Sequence, residues 1–209
     1  MATILRTWSY RYQWLYDTIA RLTALSVGGE TRFRQLALKG LTITADTRVL
    51  DLCCGWGQST RFLVERSHHV TGLDASPRSL EAARQAVPQA TYVEAWAEAM
   101  PFADHEFDLV HTSVALHEME PEQLQTILQE VYRVLKPGGW FTLIDLHRPT
   151  NPLFVPGLLL FVWLFETHTA WQLLQTNLID LLQTIGFHCQ APILYAGGSL
   201  QVIQAQKPS

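Results

Sequence analysis

The sequence is short of cysteine and has no metal-binding motif. Its 209 residues include three cysteines, Cys53, Cys54 and Cys189, and the first two are adjacent, which is too close for an ordinary disulfide. No CxxC pair and no Cys/His cluster has the spacing of a zinc site. This pattern is typical of a reducing compartment, so we predict a cytoplasmic protein without a metal centre.

Positive charge is also scarce. The chain has 15 Lys and Arg against 19 Asp and Glu, a formal net charge of −4 at pH 7, and its basic residues are scattered rather than striped. A nucleic-acid-binding protein needs a concentrated basic surface, so nucleic acid is excluded as the expected partner. A small molecule is favoured instead.

Long hydrophobic runs are missing as well. Residues 1–22 do not resemble a secretory signal, because four charged residues interrupt them: Arg6, Arg11, Asp17 and Arg21. The uncharged stretch 152–165 has 14 residues, fewer than the roughly 20 that span a bilayer. Its aromatic content leaves three interpretations open: a buried packing helix, the wall of an apolar substrate pocket, or a peripheral membrane contact.

Short apolar runs alternate with helix-compatible stretches over the middle of the chain. The runs RVLDLCC and HHVTGLD each carry an acid at or near their end and precede such a stretch. Further predicted strands are TYVEAW, FDLVHTS and WFTLIDL. Residues 121–139 are predicted to form a helix stopped by Pro137 and Gly138. The order β-α-β-α-β-β-α-β predicts an α/β fold with a mostly parallel sheet and helices on both faces.

Both flanks of this region have a different pattern. Residues 10–40 are predicted to be helical, with a break at Gly28 and Gly29. After residue 150, WQLLQTNLIDLLQTIGF is predicted to form one helix, and FHCQAPILY and SLQVIQAQK are predicted to form a terminal hairpin across Ala196, Gly197 and Gly198. The prediction is one domain over residues 1–209.

The stretch VLDLCCGWGQST, residues 49–60, joins an apolar strand to a glycine-rich turn. Gly55 and Gly57 allow the backbone to approach a ligand closely, and Asp74 follows Gly55 by 19 residues, at the end of the next predicted strand. An acid at about this offset accepts hydrogen bonds from the hydroxyls of a ribose. A tight turn without a ligand would explain the glycines but not Asp74, so a nucleoside cofactor is predicted.

The third glycine of the dinucleotide pattern GxGxxG is absent, since Thr60 occupies its position. A pyrophosphate is therefore disfavoured. S-adenosylmethionine contains the ribose and adenine but no phosphate, and it fits DLCCGWG better.

These motifs resemble those of the class I S-adenosylmethionine-dependent methyltransferases, and within them the ubiquinone/menaquinone-biosynthesis C-methyltransferases. VLDLCCGWG is similar to their first motif and GLDAS to their ribose-binding segment, and EAMPFADHEFDLVHTS and VLKPGGWFTLIDLHRPTNPLF resemble their later strands. The resemblance implies a Rossmann-like, mostly parallel seven-stranded sheet with a C-terminal antiparallel hairpin strand. It also implies an N-terminal helical cap (1–45), a cofactor-binding core (46–148) and a substrate-side segment with the hairpin (149–209).

The resemblance assigns roles to individual positions. The residues implied to surround the methionine end of the cofactor are Asp51, Gly55, Trp56 and Gly57. Those implied at the ribose and adenine are Asp74, Ala75, Trp96 and Ala97, with Ser113 near the end of the fourth strand.

The chain departs from the family at three of the matched positions. Cys53 and Trp56 stand where relatives commonly have glycine and threonine. Trp96 stands where relatives place Asp or Asn against the adenine amino group, so stacking is expected to replace that hydrogen bond. Cys53 and Cys54 are expected to be small core residues rather than reactive thiols.

Three histidines fall near the predicted carboxyl ends of strands four and five: His111, His117 and His147. A histidine there could act as a general base, with His117 the first candidate and His147 the second, although a single histidine is more often structural or on the surface. Asp108, at the entrance of its strand, is predicted to be structural. Asp145 is compatible with either role.

The sequence thus predicts a methyltransferase that uses S-adenosylmethionine and acts on a small, hydrophobic or aromatic acceptor such as a lipid-quinone precursor. Two alternatives stay open. One is a methyltransferase of another small metabolite, and the other is a non-catalytic S-adenosylmethionine-binding protein. Peripheral membrane contact through residues 152–165 is a further expectation.

Overall fold

A mixed sheet of eight strands organises the part of the chain that the structure, a computed structural model, describes: residues 27–165 and 167–209. The strand order is β3-β2-β1-β4-β5-β8-β6, and β7 also pairs with β8. The strand bounds are β1 Arg48–Leu52, β2 His69–Asp74, β3 Thr91–Glu94, β4 Phe107–Ser113, β5 Leu135–Leu146, β6 His188–Cys189, β7 Ile193–Tyr195 and β8 Leu200–Gln206.

The five strands β1 to β5 are parallel to one another, as the β-α alternation predicts. Central strands of such a sheet are covered on both faces, which is why β1 and β4 are buried along most of their length. Val49, Leu50 and Leu52 of β1 are fully buried. Order reverses between β1 and β4, so the carboxyl ends of these two strands flank the point where ligands bind in open α/β sheets.

Seven α-helices lie among the described residues. Their bounds are α1 Glu30–Gln35, α2 Thr60–Leu63, α3 Pro77–Ala86, α4 Pro121–Val134, α5 Val155–Phe165, α6 His168–Leu173 and α7 Leu178–Ile185. The start of α3 follows from its sequence, because the Ser76 hydroxyl accepts from the backbone N–H of Ser79 and Pro77 occupies the first turn. The apolar face of α4 packs into the core through Leu124, Ile127, Leu128 and Val131.

Two predicted helices end elsewhere than expected. Helix α4 ends at Val134, and β5 begins at once at Leu135, because Pro137 disfavours helical geometry in the residue before it. The single helix predicted over 171–187 is divided into α6 and α7. Asn177 begins α7, since its side-chain oxygen accepts from the N–H groups of Ile179 and Asp180.

The C-terminal hairpin forms, with β8 antiparallel to β5 on one side and to β6 and β7 on the other. The predicted first hairpin strand is interrupted between Cys189 and Ile193, so the sheet has eight strands where seven were expected. Pro192 explains the interruption, because it has no N–H to donate to the ladder.

The predicted helical cap lies only partly within the described residues. Residues 30–38 are helical, as α1 and a 3-10 turn at Leu36–Leu38, and residues 39–45 are not. The rest of the predicted helix 10–40, up to residue 26, lies outside them. The stretch 152–165 forms a 3-10 turn at Pro152–Phe154 and then α5. No helix of the described residues has the length and apolar character to cross a bilayer.

Candidate active site

A crevice of about 520 Å³ opens at the carboxyl ends of β1 to β4, where the strand order reverses. Six of the predicted cofactor residues line it: Gly55, Trp56, Asp74, Ala75, Trp96 and Ala97. The structure therefore brings together, from three separate strand ends, residues that the motifs singled out one by one. A smaller hollow of about 410 Å³ lies at the opposite edge of the sheet, between residues 41–47 and 136–140.

Asp74 links the ends of β1 and β2. Its Oδ2 accepts from the backbone N–H of Gly55 at 2.9 Å, and its Oδ1 accepts from the N–H of Ser76 at 2.9 Å. These two bonds hold the carboxylate in one orientation at the wall of the crevice. Each carboxylate oxygen has a second lone pair, so the group can still accept from a pair of ligand hydroxyls.

Two residues of the crevice wall have strained backbones. Cys53 has φ of 55° and Val114 has φ of 57°, in the left-handed region that non-glycine residues rarely adopt. The strain is greatest for Val114 because its side chain is β-branched. Cys53 directly follows β1 and Val114 directly follows β4. The strained positions therefore lie just after the two strands that flank the switch point. Such strain concentrates at functional sites.

The crevice is negatively charged. Three carboxylates line it, those of Asp74, Glu98 and Glu118, and none of its described lining residues is Lys, Arg or His. The Gln123 amide, at the start of α4, donates to Glu98 and so fixes that carboxylate. An acidic lining attracts a cationic ligand and repels a pyrophosphate. The charge therefore agrees with S-adenosylmethionine, which carries a sulfonium and an ammonium group, and disagrees with a dinucleotide.

Trp96 lies at the mouth of this crevice, with 68% of its surface exposed. An indole ring offers no acceptor for an adenine amino group, but its flat face can stack on a purine.

Cys53 and Cys54 have the properties expected of structural cysteines rather than of reactive thiols. Burial raises the pKa of both thiols above the usual range, so both are neutral, as expected of structural cysteines.

Three of the predicted cofactor residues lie behind the lining. Asp51 is buried, accepts from the Thr60 hydroxyl at 2.5 Å, and has its pKa raised to about 7 by burial. Gly57 packs against Ala83 and Val87 of the α3 region, with φ of 81°, so helix packing accounts for this glycine. The Ser113 hydroxyl accepts from the Arg34 guanidinium at 3.1 Å.

His117 forms a buried pair with Asp145. Its Nδ1 lies 2.7 Å from Asp145 Oδ1, while Asp145 Oδ2 accepts from the backbone N–H groups of Ala115 and Leu116. When Nδ1 carries the ring proton, it donates a hydrogen bond to the carboxylate, and Nε2 is then the basic nitrogen of the neutral ring. Asp145 is thus an orienting residue, tied to the turn that carries His117.

The other two histidines have different surroundings. The Nδ1 of His147 is 2.8 Å from the carbonyl oxygen of Gly198, which ties the end of β5 to the hairpin. His111 is fully buried beside Thr142, and burial together with the charge of Arg34 lowers its pKa to about 3. Asp108 is structural, as predicted. It accepts from the N–H of Arg48 at 2.8 Å and pairs with Lys136 at 2.7 Å.

Several residues of the crevice wall were not predicted from the sequence. Three of them have charged or polar side chains: Glu98, Glu118 and Gln123. Glu98 was within reach, because it follows Trp96 and Ala97 closely in the chain. Glu118 and Gln123 gave no signal of their own. They come from the turn after β4 and the first turn of α4, and only the crossover of the chain brings them to the crevice.

The strand order of this sheet and the acidic crevice at its switch point agree with a Rossmann-like methyltransferase. Comparison with known proteins agrees. Residues 49–139 match the family described as methyltransferase domain. An uncharacterized methyltransferase of Synechocystis sp. (strain PCC 6803) is 60% identical over 206 residues, which cover 99% of this chain and 97% of that one. The chain therefore belongs to the class I S-adenosylmethionine-dependent methyltransferases, and its cofactor is S-adenosylmethionine.

One further relative and one solved structure are similar to this chain in sequence and in fold, respectively. A demethylmenaquinone methyltransferase of Lactiplantibacillus plantarum is 34% identical over 161 residues, covering 70% of this chain and 67% of that one. The crystal structure of an S-adenosylmethionine-dependent methyltransferase from Mesorhizobium loti superposes with a TM-score of 0.66 at 21% identity, covering 86% of this chain and all of that one. Within the class, the chain thus resembles the menaquinone group.

Proposed function

We propose that the protein transfers a methyl group from S-adenosylmethionine to a small apolar acceptor, with the reduced ring of a lipid quinone as the most specific candidate. The observation that carries the proposal is the apolar segment 152–165. It begins after a five-residue connection, 147–151, from the end of β5 and therefore starts at the same edge of the sheet as the crevice. The similarity to a demethylmenaquinone methyltransferase supports the same acceptor class.

The cofactor assignment follows the crevice wall. Asp74 would accept from the ribose hydroxyls, Ala75 and Ala97 would flank the adenine, and Trp96 would stack on it. Gly55 and Trp56 would lie along the methionine end. Asp51, Gly57 and Ser113 would support this end from behind, since they shape the turn after β1 and the end of β4 without reaching the crevice wall.

When bound, S-adenosylmethionine supplies a methyl group activated by a positive sulfur. The chain's own contribution is chiefly positioning and charge, because the displacement needs the acceptor atom held in line with the methyl group. Glu98 and Glu118 place negative charge on the crevice wall and so favour binding of the cationic cofactor over its neutral product.

His117 is the proposed general base for an acceptor that carries a hydroxyl. Its carboxylate partner Asp145 fixes the ring so that Nε2 is basic, as in other oriented histidines. Ala115 and Glu118, its neighbours in the chain, belong to the crevice wall, which supports a role for the buried His117 next to the crevice. His147 stays the second candidate.

We also propose that helix α5 rests on a lipid surface. Leu153, Leu160 and Trp163 expose 86%, 56% and 66% of their surfaces, which is a large apolar area for one short segment. A helix of this length and polarity can insert into the interface without crossing it. Such contact would bring the crevice close to an acceptor that is dissolved in the membrane.

The test is turnover with deuterated S-adenosylmethionine and a panel of acceptors in detergent. The panel contains a reduced demethylated naphthoquinone, a reduced demethylated benzoquinone, simple phenols and polar amines, and mass spectrometry records the added methyl group. The proposal expects methylation of a reduced quinone. Methylation of polar amines only would replace the acceptor class, and cofactor binding without any transfer would favour a non-catalytic role.

A further inference from the structure

Arg34 is a buried cation that forms no ion pair with any residue the structure describes. Only 5% of its surface is exposed, and its Nε has no hydrogen-bond partner. One guanidinium nitrogen donates to the neutral hydroxyl of Ser113 at 3.1 Å. In the described part of the chain Arg34 forms no ion pair, whereas other arginines do, including Arg48, Arg61 and Arg133.

A guanidinium removed from water needs compensation, because burial of an unpaired charge is among the most costly arrangements in a protein. Its planar fork of five N–H donors is suited to a carboxylate, which it can hold with two parallel bonds. One serine hydroxyl satisfies a single donor. Donors of the guanidinium are therefore left over for an anion that arrives with a ligand.

The position of Arg34 indicates which end of the crevice this anion would reach. Ser113 precedes Val114, and Asp51 lies two residues before Cys53, and both Val114 and Cys53 are part of the crevice wall. Burial raises the pKa of Asp51, and the charge of Arg34 acts in the opposite direction, which agrees with a position of the guanidinium near this carboxyl. Through its bond to Ser113, the guanidinium thus lies near the proposed methionine end.

We propose that Arg34 binds the α-carboxylate of S-adenosylmethionine. This inference rests on the proposed placement of the cofactor in the crevice. The described crevice wall has three carboxylates and no Lys or Arg, so by itself it would repel the negative end of the cofactor. Arg34 supplies the missing positive charge, and the cofactor in turn supplies the carboxylate that the buried guanidinium lacks.

The test compares two ligands that differ at the amino-acid end. S-adenosylhomocysteine carries the carboxylate, and methylthioadenosine has the same nucleoside without it. Calorimetry is carried out on the wild type, Arg34→Gln and Arg34→Lys, with Arg48→Gln as the control because Arg48 lies at the opposite edge of the sheet. We expect Arg34→Gln to weaken S-adenosylhomocysteine about 10- to 100-fold and to change methylthioadenosine by less than about 3-fold. Arg34→Lys should fall between, and Arg48→Gln should change neither.

Equal losses for both ligands would overturn the inference, since they would show that Arg34 only supports the fold. Unchanged affinity for S-adenosylhomocysteine would overturn it as well. If the Arg34 variants do not fold, the wild type still decides: it should bind S-adenosylhomocysteine at least about 10-fold more tightly than the decarboxylated form of that ligand. Equal affinity for the two would contradict the proposal. If the wild type bound no adenosine ligand, the placement of the cofactor would fail too.

Discussion

The backbone N–H of Gly55 donates to the carboxylate of Asp74 at 2.9 Å, across the 19 residues that separate them in the chain. The bond joins the glycine turn after β1 to the acid at the end of β2. Two residues that the sequence relates only by their 19-residue spacing are thus in direct contact. The acid both shapes the turn and faces the crevice.

We expect Asp74→Asn to lower the free energy of unfolding by about 1–3 kcal/mol. Both carboxylate oxygens accept from backbone N–H groups, those of Gly55 and Ser76, and an amide must turn its NH2 group toward one of them. Urea denaturation measures the change. A variant as stable as the wild type would show that these two bonds do not hold the turn.

Trp96→Ala should weaken S-adenosylhomocysteine by about 1–3 kcal/mol if the indole stacks on the adenine, a loss comparable with that of base–aromatic contacts elsewhere. Trp163→Ala is the matched control, because that indole is equally exposed but lies on α5. Calorimetry gives both values. Similar affinities for the two variants would mean that Trp96 does not recognise the base.

The buried carboxyl group of Asp51 should make the free energy of unfolding depend on pH. Burial raises its pKa to about 7, whereas the unfolded chain loses this proton near 3.8. The native state therefore binds more protons between these two values, and the contribution of Asp51 to stability falls as pH rises toward 7. Thr60, Arg34 and Asp74 are the groups whose hydrogen bonds and charges act on it.

The Asp51→Asn variant lacks this titration. Relative to the wild type it should gain stability between pH 5 and 7, by at most about 1.36 kcal/mol for each pH unit, and the difference should level off above pH 7. Urea denaturation at several pH values measures it. Parallel curves for the two proteins over this range would show that Asp51 is ionised in the folded state.

His117→Gln is expected to reduce kcat about 10²- to 10⁴-fold with a hydroxyl-bearing acceptor, while the affinity for S-adenosylhomocysteine stays the same. Asp145→Asn should reduce kcat in the same direction because it removes the orienting carboxylate. His147→Gln is the comparison variant, since Nδ1 of that ring faces the Gly198 carbonyl. If His147→Gln alone slowed the reaction, the base would be His147 instead.

The sequence was informative wherever a local pattern determines structure. The run Phe107–Ser113 forms β4 as predicted, and Ser76 with Pro77 begins α3. The glycine turn and Asp74 could be placed at one edge because parallel strands end together. Six of the nine cofactor residues predicted from the motifs therefore line the crevice.

Other features depended on contacts between distant parts of the chain. Apolar spacing continues through residues 171–187, and only the capping by Asn177 divides this stretch into two helices. Gly57 resembled a ligand-binding glycine, but α3 packs against it. Arg34 gave no signal at all, because an arginine in an amphipathic helix is ordinarily exposed, and its burial follows from how α1 meets the end of β4.

The exposed apolar face of α5 should bind lipid. In a flotation assay with vesicles of neutral phospholipid, the wild type is expected to float and the double variant Leu160→Ser, Trp163→Ser to stay largely in solution, with its fold unchanged because both side chains are exposed. Leu182→Ala, a buried change, serves to show that general destabilisation does not mimic the effect. Equal flotation of wild type and double variant would contradict membrane contact.

The most direct test of the account is whether Asp74 holds the ribose of the cofactor. Calorimetry compares S-adenosylhomocysteine with its 2′,3′-dideoxy analogue on the wild type and on Asp74→Asn. We predict that removal of the two hydroxyls costs the wild type about 1.5–3 kcal/mol and costs the variant much less, because the charged acceptor is then already missing. An equal loss in both proteins, or none in the wild type, would contradict the assignment.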